Sequence, residues 1–212
     1  MDKGLGSMNF SGLVCVRETG AKRSALIFTL AVLLAGCGAG AAVNDTFNLS
    51  SSPVVEGRGA TSKQILVPEP TALKALDSDQ IVIRLSGSEL QYLSKAQWSD
   101  RLPRMVQAKL VQAFENTGKV AGVGKPGEGL AIDYQVISEI RSFEISTEGA
   151  DTAVVEIFAK LVNDRNGTVR AQKAFRATAG VNGTGNPAFV KALDQAFAIV
   201  ASEIVGWTLG SI

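Results

Sequence analysis

The sequence contains no histidine among its 212 residues, and its charges nearly cancel. Without histidine, the Ser-His-Asp and Cys-His catalytic arrangements and the histidine-containing zinc sites are excluded. Acid–base chemistry would have to rest on carboxylates or lysine, which makes an enzyme the least favoured class of function. Because 21 Lys and Arg face 20 Asp and Glu, no nucleic-acid partner is expected.

Cysteine occurs only twice, and Cys37 closes the most informative segment of the chain. Lys22 and Arg23 precede an apolar run over residues 25–34, and small residues separate that run from Cys37. This order is typical of a secretory signal. The stretch from Leu34 to Cys37 also looks like a lipobox, at which bacteria attach diacylglycerol to the cysteine and cleave before it. We therefore predict that Cys37 is the lipid attachment site, with diacylglycerol and an N-acyl chain, and we expect no other cofactor.

A single transmembrane helix is the alternative interpretation, because residues 25–43 carry no charge and just exceed the usual threshold length. The second half of that run is mostly Ala and Gly, which insert weakly, so cleavage is favoured. Cys15 would leave with the leader, and the folded body would then have no thiol for a disulfide. The predicted organisation is a leader and signal peptide over 1–36, a lipidated flexible tether over 37–46, and one domain over 47–212.

Two amphipathic helices are predicted in the body of the chain. The first opens near Trp98 or Asp100, although Ser94–Gln97 also fits a capping box, and it ends at Glu115–Gly118. The second opens at Asn186-Pro187, with Asn186 as its cap. Both carry apolar residues at helical spacing, namely Leu102, Val106, Leu110 and Phe114 in the first and Phe189, Leu193, Phe197, Val200 and Ile204 in the second.

Strand patterns fill most of the remaining chain. A long strand over residues 130–145 changes its apolar phase at Val136-Ile137, which predicts a bulge there. Residues 153–162 and 169–178 form the clearest hairpin, and Asn166-Gly167 predicts a type I′ turn. Shorter strands are predicted at 47–49, 64–67, 81–85, 90–93 and 120–123. The fold class is therefore α+β, a single domain with a largely antiparallel sheet packed against two main helices.

Candidate chemistry in the body is sparse. Gly122, Gly124 and Gly127 match G-x-G-x-x-G, but a strand pattern rather than a helix follows them, which favours a plain glycine turn. Three carboxylate pairs could serve acid–base chemistry, although charges on a solvated surface are the commoner explanation; they are Asp77/Asp79, Asp133/Glu139 and Glu144/Glu148. Trp98 and Trp207 could anchor a partner, but packing in the core is favoured for both.

Several segments together resemble one known family. They are the lipobox at Cys37, Val67-Pro-Glu-Pro70 before a strand, the run from Tyr92 through Trp98-Ser-Asp-Arg-Leu-Pro103, and the late Asn186-Pro helix. The chain is similar to the ABC-type transport auxiliary lipoproteins from about Phe47 to its C-terminus. The family resemblance implies a non-enzymatic part of an MCE-type lipid transport system, in which an ABC permease and ATPase work with a periplasmic MCE protein that carries lipid.

The resemblance also implies partners and a location. The expected partner is the MCE-domain protein and, through it, the ABC permease and ATPase. The lipid anchor would attach the protein to the membrane. A homo-oligomer is compatible with both expectations. Gly38 stands where an Asp would suggest inner-membrane retention, so we expect the periplasmic face of the outer membrane. Exposed strand edges, or the region of Tyr92 and Trp98, are the expected contacts. The alternative function is a structural outer-membrane lipoprotein that assists assembly of an envelope complex.

Overall fold

The computed structural model describes residues 44–50 and 60–212, so Cys37 and most of the predicted tether lie outside the described residues. Two helices follow in chain order, α1 (Leu102–Thr117) and α2 (Asn186–Ser211). The strands are β1 (Asp45–Phe47), β2 (Gln64–Leu66), β3 (Thr71–Ala72), β4 (Gln80–Arg84), β5 (Leu90–Trp98), β6 (Gly122–Gly124), β7 (Tyr134–Ser146), β8 (Thr152–Asn163) and β9 (Val169–Gly180).

Strand β7 organises the sheet. Along one side it pairs antiparallel with β8, which in turn pairs antiparallel with β9. Along its other side three short strands follow one another, all parallel to it: β2 at its start, β3 in its middle and β4 at its end. Beyond them, β6 lies parallel to β2, β5 lies antiparallel to β4, and β1 lies parallel to β5. The predicted α+β class is confirmed, with long antiparallel ladders and short parallel ones.

The bulge of β7 lies four residues beyond its predicted position. Pairing with β8 shifts between Ile140 and Ser142, which leaves Arg141 as the extra residue. Before it, Val136, Ser138 and Ile140 are buried, and Ile137 is exposed. The prediction at Val136-Ile137 was wrong because an isoleucine occupies an outward position and a serine an inward one, which mimics a change of phase.

The loop between β8 and β9 also differs from the prediction. Gly167 has a φ of 69°, whereas Asn166 has no positive φ, so the predicted type I′ turn, which needs both, does not form. A loop of the five residues 164–168 forms instead. The Gly167 N–H donates to the Asn163 carbonyl at 2.9 Å, and the Thr168 N–H donates to the Asn166 side-chain oxygen at 3.0 Å.

Helix α1 starts later than predicted. Arg101 is its N-cap, and Pro103 lies in the first turn, where its missing N–H has no intrahelical partner to lose. Ser94–Gln97 belong to β5 and form no capping box. Gly118 ends the helix with a φ of 59°, as the sequence predicts. Helix α2 starts at Asn186, but Gly185 occupies the N-cap position, so Asn186 is not the cap.

Both helices contribute to a single core. The buried faces of β7 and β8 alternate with exposed ones, and the buried stripes of α1 and α2 belong to the same cluster of apolar side chains. At its centre Phe143 of β7 contacts Phe197 of α2, with ring centroids 5.9 Å apart. One face of the sheet is thus covered by helices. The strand edges and the other face are the parts of the sheet where an exposed site can lie.

Candidate functional site

An irregularity in β5 is the most distinctive local feature of the described chain. Val82 pairs with Tyr92 and Gln80 pairs with Gln97, so β5 uses three more residues than β4 over the same span. Within the extra loop Lys95 has a φ of 57°, and it is the single non-glycine residue with a positive φ in the described chain. Bulges and strained backbone of this kind are frequent at functional sites.

The bulge opens a polar cleft of about 570 Å³. Its walls combine side-chain amides, two hydroxyls, one cation and one anion, and its residues are Asn44, Asp79, Gln80, Tyr92, Leu93, Ser94, Lys95, Ala96 and Gln97. Such a lining offers both hydrogen-bond donors and acceptors without a net charge. We take this cleft as the candidate site.

Three elements fix the shape of the cleft. The Asn44 side-chain amide, just before β1, donates to the Gln97 side-chain oxygen at 3.0 Å. The Trp98 backbone N–H donates to the Asp79 carbonyl at 2.7 Å. From the start of α2, the Asn186 side-chain amide donates to the Ser94 carbonyl at 3.0 Å. The bulge is therefore held by hydrogen bonds from the starts of β1, β4 and α2.

The two predicted contact residues have different environments. Tyr92 lies in the wall of the cleft and is 44% exposed, so its side chain is available to a partner. Trp98 is only 2% exposed and packs edge-on against Phe143, at a centroid distance of 5.9 Å. Packing in the core, the favoured interpretation of Trp98, is therefore confirmed, and its indole is not exposed to a partner. Trp207 also packs inward, against Phe175.

The Trp98–Pro103 segment is structural in this chain. The Arg101 guanidinium donates to Asp77 and lies 3.1 Å from a carboxylate oxygen of Glu69. The hydrogen bond to Asp77 is the main cause that raises the pKa of Arg101 above its ordinary value. The buried Gln107 of α1 donates to the Val67 carbonyl at 2.9 Å. Together these contacts fasten the Val67–Pro70 segment to the start of α1.

Four of the six carboxylates in the predicted pairs form ion pairs with basic side chains rather than gathering into a site; they are Asp77, Asp133, Glu139 and Glu144. Glu144 accepts from Arg84 at 2.6 and 2.9 Å, and this hydrogen bonding is the main cause that raises the pKa of Arg84. Asp133 accepts from the Gln64 backbone N–H at 3.1 Å, which lowers the pKa of Asp133. Glu139 pairs with Arg141. The described residues contain no cluster of three potential metal-ligating side chains.

The glycine motif begins as a strand and continues into a turn. Gly122–Gly124 is strand β6, paired with β2, and a loop without a helix leads from it into β7. No helix N-terminus therefore follows the motif, which is what a phosphate site would require. None of the helices in the described ranges is long and apolar enough to cross a membrane.

Residues 47–205 match the family described as the ABC-type transport auxiliary lipoprotein component. The chain belongs to this family. A curated relative, the uncharacterized protein bll6063 of Bradyrhizobium diazoefficiens, is 31% identical over 148 residues, which cover 70% of this chain and 40% of that protein. The chain thus spans less than half the length of this relative.

Two solved structures share the fold of this chain. Protein XCC0632 from Xanthomonas campestris is 29% identical, with a TM-score of 0.75, over 79% of this chain and 95% of that one. The hypothetical protein CT253 from Chlamydia trachomatis has the same fold at 8% identity, with a TM-score of 0.51, over 71% of this chain and 98% of that one. The auxiliary lipoprotein fold therefore covers nearly all of the described residues.

Little in the sequence predicts the cleft. Positive φ angles are usually signalled by Gly, Asn or Asp, whereas the strained residue here is Lys95. The pattern at 90–93 predicted only the first part of β5, because the inward residues change phase across the bulge. The sequence analysis had singled out two residues of the cleft, Tyr92 as a contact residue and Asp79 as a member of a carboxylate pair.

Proposed function

We propose that this protein is a lipid-anchored, non-enzymatic accessory component of an ABC-type intermembrane lipid transport system. In this role it docks the periplasmic MCE protein of the system at the outer membrane. The observation that carries the proposal is the family match over residues 47–205. The lipobox-like sequence at Cys37 supports it, because an acylated cysteine would hold the body at a membrane surface.

The position of the cleft fits a docking role near the membrane. Asn44, in its wall, lies seven residues after Cys37 in the sequence. An extended chain spans at most about 3.5 Å per residue, so the anchor would keep the cleft side of Asn44 within about 25 Å of the acyl chains.

The anchor is tested by the Cys37→Ala variant, with Cys15→Ala as the matched control. We expect Cys37→Ala to move from the membrane fraction to the soluble periplasmic fraction, because it has lost the acceptor of the lipid. Cys15→Ala should fractionate like the wild type, since Cys15 belongs to the predicted leader. Mass spectrometry of the N-terminal peptide should find acyl chains on Cys37. Normal membrane association of Cys37→Ala would contradict the anchor.

The partner is tested by measuring binding between the purified protein and the purified MCE protein encoded in the same genome. Binding supports docking, and genes for an ABC ATPase, a permease and an MCE protein beside this one would add to it. If the MCE protein does not bind, and outer-membrane proteins are recovered instead after crosslinking in envelopes, the structural outer-membrane lipoprotein replaces the transport role.

A further inference from the structure

We propose that β5 binds an extended segment of the transport partner as an added strand along Leu90–Leu93. This inference rests on the proposed function, because it gives the mode by which the MCE protein is held. It assigns the affinity to main-chain hydrogen bonds along the strand edge and the selectivity to Leu90, Tyr92 and the polar cleft.

The edge of β5 has main-chain groups available for such pairing. In the adjoining turn the Leu85 N–H donates to the Glu89 carbonyl at 3.0 Å. Because an antiparallel ladder alternates, the N–H and C=O groups of Leu90 and Tyr92 then point away from β4. Strand β1 covers only Ala96–Trp98 of this edge. Within the described residues no strand pairs with the outer edge of Leu90–Leu93.

This edge also lacks the features that usually prevent strand pairing. The run from Leu90 to Ser94 contains neither a charged residue nor a proline. The other long edge of the sheet, β9, carries Arg170, Lys173 and Arg176, and the Arg170 side chain donates to the Ser211 carbonyl at the end of α2. Charged side chains thus disfavour the pairing of another strand with β9, whereas within the described residues none does so at the Leu90–Leu93 edge of β5.

The chemistry of the cleft fits a peptide better than a lipid or a phosphate. Amides of Asn44, Gln80 and Gln97 supply both donors and acceptors, as an extended backbone requires. An acyl chain would need an apolar lining, and a phosphate would need several cations, whereas the lining holds a single cation, Lys95, together with the acidic Asp79. Leu90 and Tyr92, 40% and 44% exposed, lie on one face of β5 and can contact alternate side chains of the added strand.

A second copy of the chain is the less suitable occupant. Only four residues of β5 are open at this edge, and a pairing of two such segments would bury far less than the roughly 1,200 Å² of a stable protein interface. A flexible segment of a partner that is already held at the membrane needs less affinity, because anchoring raises its local concentration.

The proposal is tested with three variants of the full chain and the purified MCE protein. Leu90→Pro removes one outward amide at the first residue of β5, where proline is tolerated, and Leu90→Ala removes the side chain but keeps the amide. Thr178→Pro is the control on β9. The Val181 N–H donates to the Asp151 carbonyl at 3.0 Å, so Val181 and Asp151 form a hydrogen-bonded pair of the β8–β9 ladder. Because such pairs alternate along an antiparallel ladder, the Thr178 N–H points away from β8. We expect Leu90→Pro to raise the Kd about tenfold, Leu90→Ala about twofold, and Thr178→Pro not at all.

Amide hydrogen exchange provides a readout that does not depend on any variant. Adding the MCE protein to the wild type should slow exchange at the amides of Leu90 and Tyr92 and leave the outward amide of Thr178 unchanged. If the wild-type proteins do not bind, the proposed function fails together with its mode. If they bind while the two β5 amides stay unprotected, or while Leu90→Pro binds as well as the wild type, strand addition is wrong and docking stands. Protection without the MCE protein, in a dimer seen by light scattering, would assign the edge to a second copy and overturn the proposal.

Discussion

Arg84 and Glu144 form the least exposed ion pair of the described chain, and at the residue scale they join β4 to β7. The Glu144 carboxylate is 6% exposed and accepts two hydrogen bonds from the guanidinium, which also donates to the Gly87 carbonyl at 3.1 Å. A charge in this position needs its partner, because it has lost most of its hydration.

We expect Arg84→Ala to lower the free energy of unfolding by about 3 kcal/mol, since it leaves a buried carboxylate without a counter-ion. Urea unfolding at neutral pH measures this. Arg176→Ala is the matched control: Arg176 pairs with Glu156 at 2.9 Å but is 58% exposed, so its loss should cost less than about 1 kcal/mol. Equal losses of unfolding free energy in the two variants would mean that burial does not determine how much the Arg84–Glu144 pair stabilises the protein.

At the scale of the element, the stability of α1 depends on the backbone conformation of Gly118, the residue that ends it. Gly118 adopts a φ of 59° and its N–H donates to the Glu115 carbonyl at 3.0 Å. A side chain is disfavoured at such a φ, even though nothing lies within 4 Å of the position that a Cβ would take.

Gly118→Ala should therefore destabilise the protein by about 1 kcal/mol through backbone strain alone. Gly87→Ala is the control, because Gly87 has no positive φ and equally open surroundings. The measurement compares the denaturant concentrations at which the two variants are half unfolded, provided that the dependence of the unfolding free energy on denaturant is the same in both. Should both alanines be tolerated equally, the left-handed end of α1 would have no energetic role.

For the whole molecule, the lengths of the strands predict an uneven stability. Strand β8 is flanked by β7 and β9 along its whole length, and its inward residues are fully buried. Strands β1, β3 and β6 have three, two and three residues. We expect native-state hydrogen exchange to be slowest in β8, near the limit of global unfolding, and fast in these three strands. Exchange in β8 as fast as in β1 would contradict the central role of the β7–β9 ladder.

Much of the fold was predictable where local pattern and final burial agree. The stripes of α1 and α2 and the two strands of the long hairpin follow their periodicities because one face of each element meets the core. The predicted position of the bulge in β7 was wrong because single residues break the alternation of buried apolar and exposed polar side chains. Ile137 points outward and Ser138 inward, and this displaced the predicted bulge from Arg141.

The sequence by itself determined the family, the α+β class, the order of the long elements and the prediction of a lipid anchor at Cys37, because these depend on motifs and periodicities of adjacent residues. Only the tertiary structure confirmed that Trp98 belongs to the core, and only it showed that Lys95 lies in a strained bulge and that Leu90 and Tyr92 form an open edge within the described residues. The reason is physical. Whether a strand edge is covered, or a tryptophan is buried, depends on which distant segments pair beside it, and residues 44, 79 and 186 meet β5 only in the folded chain.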